Sequence, residues 1–204
     1  MIEKTIIETK NKDEALEKYL SENEIKLEDI YLKEKVEEGG LFKSKKTILS
    51  IIKKSDVISF IKNYISELSK NMNVSIQSEV RLVDDYYKVT LVTDKNAIII
   101  GKDGKNLDAL QMLLKQSLNK KTGMNLKLTL DASNYRGSKQ KNFEHEIKKI
   151  AKDVLNTKAD AKLDPMNSYN RRIVHTIVGE FKNLESESFG ETPNRYVVIK
   201  YKED

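Results

Sequence analysis

The chain has 204 residues, 37 Lys and Arg against 32 Asp and Glu, and no cysteine. Such a length holds one large domain or several small ones, and the lack of cysteine excludes a disulfide framework and any thiolate metal site. No apolar run approaches the roughly 18 residues of a membrane span and nothing reads as a signal peptide, so the expected location is the cytoplasm. The net charge of +5 is uneven. Residues 1–54 carry 12 basic and 12 acidic side chains, residues 55–131 carry 11 and 9, and residues 132–204 carry 14 and 11. A polyanionic partner is compatible with the last two segments, although this excess does not demand one.

Residues 2–9 read as a short strand with Ile2, Ile6 and Ile7. Asn11 then opens a helix that turns Ala15, Leu16, Tyr19 and Leu20 inward. Ile30, Leu32 and Val36 mark a second strand, Glu38 to Lys43 a glycine turn, and Ile48 to Ile52 a third strand. This β-α-β-β piece, 1–54, is too small for a large core and reads as an interaction module. Leu41 and Phe42 beside Gly39 and Gly40 leave two readings open: an apolar tip that meets a partner, or a pair folded under its own loop.

Ser55 is the expected cap of a helix with Val57, Ile58, Ile61, Ile65 and Leu68 at helical spacing. Val74 to Leu82 and Tyr87 to Leu91 form an antiparallel pair turning at Asp84-Asp85. Thr93-Asp94 is placed to cap a short helix ending in Ile98-Ile99-Ile100. Then comes Gly101-Lys102-Asp103-Gly104-Lys105, and a second helix with Leu107, Leu110, Leu114 and Leu118 on one face. Leu126, Leu128 and Leu130 alternate as the closing strand.

The order across 55–131 is α-β-β-α-α-β with Gly-x-x-Gly between the last two helices, the arrangement of a KH fold, whose glycine loop clamps a nucleic-acid backbone. Glycines let the backbone approach a bulky ligand closely, and the N-terminus of the second helix favours phosphate. Lys102 and Lys105 add charge. Asp103 either repels phosphate or caps the following helix. A Gly-x-x-Gly is also a common plain connector, so the spacing alone is weak evidence.

Residues 138–157 form a long helix with Phe143, Ile147, Ile150, Ala151, Val154 and Leu155 inward. His145-Glu146 begins a metalloprotease pattern that fails, because Lys149 stands where the second His belongs. After a strand around Ala161 to Leu163, Ser168 is the expected cap of a helix carrying Arg171 and His175 four residues apart on one face. Such a pair is often only solvated charge; following a KH-like unit, it reads as a second nucleic-acid surface. Leu184 to Phe189 and Tyr196 to Tyr201 close the chain as strands. The fold class is α+β in three small modules: 1–54, 55–131 and 132–204.

Several of these stretches resemble the bacterial Jag family, also called KhpB or EloR. They are Ile100 to Gln111 (Ile-Gly-Lys-Asp-Gly-Lys-Asn-Leu-Asp-Ala-Leu-Gln), Leu130 to Ala132, Pro165 to His175 (Pro-Met-Asn-Ser-Tyr-Asn-Arg-Arg-Ile-Val-His), Glu185 to Ile199, and the Gly40-Leu41-Phe42 turn. The resemblance covers essentially the whole chain in order. It implies a Jag N-terminal domain, a KH domain and an R-three-H domain, named for its Arg-x-x-x-His motif. It implies cytoplasmic binding of single-stranded RNA through Ile100, Gly101, Lys102, Asp103, Gly104, Lys105, Arg171, Arg172, His175 and Arg195, with no cofactor and no metal. It further implies post-transcriptional regulation linked to the cell envelope, division or membrane-protein insertion, by way of the N-terminal module, a small KH-protein partner or a homodimer. Two departures stand out. Lys102-Asp103 replaces a pair that is commonly basic, and Tyr196 follows Arg195 where a second Arg is frequent.

The competing reading is a protein–protein adaptor whose KH surface serves as a dimer interface. Catalysis is the weakest option. Arg171 and His175 suit phosphodiester chemistry, but no carboxylate cluster or metal-ligand spacing accompanies them, and a non-enzyme is expected.

Overall fold

Three three-stranded sheets, each with helices packed on it, make this an α+β chain. The computed structural model describes residues 2–37 and 46–203. The chain divides into two compact units, Met1–Ser133 and Asn134–Asp204. The expected boundary at 54/55 falls inside the first unit, between its two sheets; the one at 131/132 lies next to the break at 133/134.

The first unit opens with β1 (Thr5–Thr9), α1 (Lys12–Glu22), β2 (Ile30–Glu37) and β3 (Lys46–Lys53), in the antiparallel order β1-β3-β2. Asn11 caps α1, its side chain accepting from Glu14 N–H. Tyr19, Ile30, Leu49 and Ile51 form the small core that joins α1 to the sheet. The glycine turn with Leu41 and Phe42 lies outside the described residues.

β3 runs without a linker into α2 (Lys54–Met72), which corrects the expectation that Ser55 is its cap. The cap position is Lys53, still extended as the last residue of the strand, and its side chain makes no capping bond. β4 (Ile76–Val83) and β5 (Tyr86–Thr93) form the expected hairpin. Asp84 and Asp85 both have positive φ, 49° and 59°, the pair of left-handed residues that a tight two-residue hairpin needs. α3 (Asn96–Ile100), α4 (Lys105–Thr122) and β6 (Lys127–Ala132) complete the unit, β6 running parallel to β5.

α2 and α4 pack together and against this second sheet. Tyr87, Val89 and Leu91 of β5 are buried with Leu128 and Leu130 of β6 and Leu107, Leu114 and Leu118 of α4, so the period-2 and helical patterns both point to one core. Thr93-Asp94 does not cap α3. The cap position is Lys95 without a side-chain bond, because Thr93 Oγ1 is used in a local turn, accepting from Lys95 N–H at 3.1 Å.

The two sheets of this unit meet at Tyr31 and Tyr87, whose hydroxyls are both buried beside one another without a hydrogen bond of good geometry. Burial, and then the neighbouring Tyr31, push the Tyr87 phenol far above its usual range. Close by, Lys54 Nζ sits 2.8 Å from Asp85 Oδ1 and 5.1 Å from the Tyr31 ring centre.

The second unit comprises α5 (Tyr135–Thr157), β7 (Ala161–Lys162), α6 (Ser168–Val178), β8 (Leu184–Phe189) and β9 (Tyr196–Tyr201), in the antiparallel order β7-β9-β8. α5 starts three residues before the expected position 138. Asn167, not Ser168, caps α6, accepting from Asn170 N–H at 2.9 Å. Ile147, Ala151 and Val154 of α5 meet Val174, Ile177 and Val178 of α6 over Val197 and Ile199 of β9.

Candidate nucleic-acid interface

The glycine turn between α3 and α4 is built by left-handed backbone. Gly101 has φ 70° and ψ −179°, Asp103 φ 58° and Gly104 φ 87°. The Gly101 conformation is one that only glycine adopts without strain. A Cβ there would also lie 2.5 Å from Asn106 Cγ. Asn106 occupies that space because its Nδ2 donates to the Ile98 carbonyl at 2.9 Å, satisfying the open end of α3. Asp103 accepts the left-handed position better than most non-glycine residues. It is not the cap of α4: that position is Gly104, which has no side chain to close the first turn.

Lys102, Asp103 and Lys105 are exposed, Ile100 and Gly101 are half-buried and Gly104 is buried. The tip of the bend is therefore open to solvent while its base is packed. Ile98 adds an apolar side chain, 48% exposed, on α3 beside it. Gln111 Oε1 accepts from Leu130 N–H at 2.8 Å, tying α4 to the edge strand β6.

In the second unit the Arg171/His175 face of α6 is turned onto β8 and is not freely solvated. His175 Nδ1 lies 2.7 Å from Ser186 Oγ and Nε2 lies 3.0 Å from Ser188 Oγ. Arg171 Nη1 donates to the same Ser188 Oγ at 3.5 Å. Ser186 and Ser188 are two apart on a strand and so share a face. Arg171 and His175 are half-buried. Arg171 Nε is fully buried without an acceptor, and among the described residues Arg171 makes no ion pair.

Arg172 is exposed on the neighbouring side of α6. Arg195 is exposed just before β9, where its carbonyl accepts from Met166 N–H at 3.0 Å. Structure thus brings Ile100 to Lys105 together in one turn, and joins Arg171 and His175 through a shared serine. Sequence reasoning assigned no role to Asn106, Ser186 or Ser188. The signal for the serines was present in Glu185-Ser-Glu-Ser-Phe, whose alternation puts two small hydroxyls on the face that meets a helix. Among the described residues no group of three or more His, Asp or Glu is placed to hold a metal ion, and no helix is long and apolar enough to cross a membrane.

The glycine turn and the Arg171/His175 face both lie within regions of the chain that match known families. Residues 58–130 match the family model for the KhpA/KhpB KH domain, and residues 142–201 match the R-three-H domain model. The chain is 31% identical over 204 residues to the RNA-binding protein KhpB of Bacillus subtilis, covering 95% of this chain and 96% of that one. It is 37% identical to the RNA-binding protein KhpB of Clostridium symbiosum over 66% of this chain and 60% of the relative. A protein of Acanthamoeba polyphaga mimivirus named as a putative exonuclease is 28% identical over 61% of this chain and 31% of its own length. Matched from end to end by a KhpB protein, with both domain models in the expected order, the chain belongs to the KhpB family, the Jag family of the sequence reading.

Proposed function

We propose that this chain is a single-stranded RNA-binding protein acting in the cytoplasm as a post-transcriptional regulator, in three modules covering 1–54, 55–131 and 132–204. The observation that carries the reading is the Arg171 guanidinium: half-buried, with its Nε without an acceptor and, among the described residues, no ion pair. A cation withdrawn from water without a counter-ion is costly, and a phosphate offers both the charge and the acceptor geometry that relieve it. The exposed Lys102 on a glycine-built turn supplies a second phosphate contact of the KH kind. The relatives from Bacillus subtilis and Clostridium symbiosum are both named as RNA-binding proteins.

Fluorescence anisotropy of an unpaired oligoribonucleotide tests this. Affinity should fall linearly in log–log against salt, by roughly 0.7 for each phosphate neutralised, and Arg171→Ala should lower both affinity and slope. Salt-insensitive binding, or an unchanged Arg171→Ala variant, overturns the reading. The protein binds without cutting: an end-labelled strand incubated with the chain and magnesium should keep its length. Shortening of the strand would favour an exonuclease.

A second reading has its own observation. Met112 and Leu113 on α4 are 59% and 54% exposed, a pair of large apolar side chains on a KH helix. A second KH unit, from another copy of this chain or from a small KH protein, would cover them. Leu113→Glu should convert a dimer to a monomer in sedimentation if that surface is the interface. By its family resemblance, the RNA regulation is linked to the cell envelope, division or membrane-protein insertion.

A further inference from the structure

Tyr169 is the only aromatic residue among the exposed large apolar side chains of the described residues, with 59% of its surface open. Every other described Tyr and Phe is at least half-buried. The ring is nevertheless held in place. Its hydroxyl donates to Gln140 Oε1 of α5 at 3.2 Å, and the Gln140 amide is oriented by donating from Nε2 to Glu144 Oε1 at 2.9 Å. Exposed polar bonds of this kind add little to stability, but they fix the direction of the ring. Tyr169 lies three residues before the exposed Arg172 and so on the same side of α6. It is also two residues before Arg171, whose buried Nε has no acceptor and which makes no ion pair among the described residues.

We infer that Tyr169 is a stacking platform for one unpaired nucleobase of the bound RNA, with Arg172 holding the adjoining phosphate. An aromatic face accepts any base by stacking, and restraint before binding removes part of the entropy cost of ordering a side chain. The face of α6 that recognises RNA is then wider than the Arg171/His175 pair: one stripe reads charge, and the next reads the flat face of a base. Glu144 is the carboxylate nearest in the bonded chain, and it is engaged by Gln140. The inference rests on the RNA-binding reading of the preceding section.

The full chain tests it with two probes, oligouridine and the same strand carrying abasic residues. Tyr169→Ala should weaken binding of oligouridine roughly tenfold and leave the abasic strand unaffected. Tyr169→Phe, which keeps the ring and loses only the tether, should retain most of the affinity for oligouridine. Equal losses on both strands, or no loss for Tyr169→Ala, overturn the stacking role. Arg171→Ala separates the two claims: if it weakens binding while Tyr169→Ala does not, only the stacking fails. A wild-type chain that binds neither strand refutes the RNA reading itself.

Discussion

Asn106 reaches back across the glycine turn and donates to the Ile98 carbonyl at 2.9 Å, so the residue that follows the loop caps the helix that precedes it. The side chain making that bond fills the space a Cβ on Gly101 would need. The turn is thereby locked from its inner side, while Lys102 and Asp103 face solvent.

Gly101→Ala should destabilise the first unit by about 1–3 kcal/mol, from a disfavoured backbone conformation and the displaced Asn106. Asn106→Ala alone should cost about 1 kcal/mol, the typical net worth of a hydrogen bond. The double variant should lose less than the two single losses combined, since both remove the same cap. Urea denaturation of the three variants measures this; strict additivity would show that the cap and the turn are independent.

At the tip, Lys102→Asp should weaken oligoribonucleotide binding and flatten its salt dependence by roughly 0.7 in slope, one phosphate contact on a single strand. Asp103→Lys should do the reverse. Lys102 is exposed, so unchanged thermal unfolding should accompany Lys102→Asp. Gly104 is a poorer test site because it is buried at φ 87°, where any side chain strains the turn. Anisotropy titrations at several salt concentrations decide the point.

Ser188→Ala removes the hydroxyl shared by Arg171 and His175. Two half-buried donors or acceptors then lose a partner, and stability should fall by about 1–2 kcal/mol. Binding should weaken as well, because the serine holds both side chains in place. Ser188→Ala combined with His175→Ala should show a coupling of at least about 0.5 kcal/mol in a double-mutant cycle.

Alkali should destabilise the first unit through Tyr87. Its folded pKa is raised by burial, so above the unfolded value of about 10 the unfolded chain loses a proton that the folded chain keeps. Stability therefore falls as pH rises past that point, by up to about 1.4 kcal/mol per pH unit for this one group. Lys54, raised by its bond to Asp85, acts in the same direction: its contribution is present below its unfolded pKa and lost as pH climbs through the folded one. Tyr87→Phe should flatten the alkaline limb by one proton in pH-dependent denaturation; an unchanged slope would assign it elsewhere.

Much of the architecture was legible in the chain itself, for physical reasons. β8 and β9 run over the residues expected as closing strands, and the Leu107–Leu118 spacing lies on the buried side of α4. Helix starts were harder. Ser168 and Asn167 are both good caps in adjacent positions, and only the bond to Asn170 distinguishes them. Ser55 misled because the helix begins one residue earlier, at Lys54, which puts Ser55 inside the first turn and Lys53 at the cap position. The contacts of Arg171 and His175 with Ser186 and Ser188 depend on how α6 lies on β8, which no local pattern records. Asp103 looked discordant as a charge, and its left-handed backbone supplies a conformational reason for it.

Ultraviolet cross-linking of the intact chain to bound RNA, with mapping of the modified peptides, tests most directly whether two separate surfaces grip the strand. The account predicts adducts in residues 98–106 and in residues 168–176, both lost in high salt. Adducts confined to residues 38–46, or spread evenly along the chain, would contradict it.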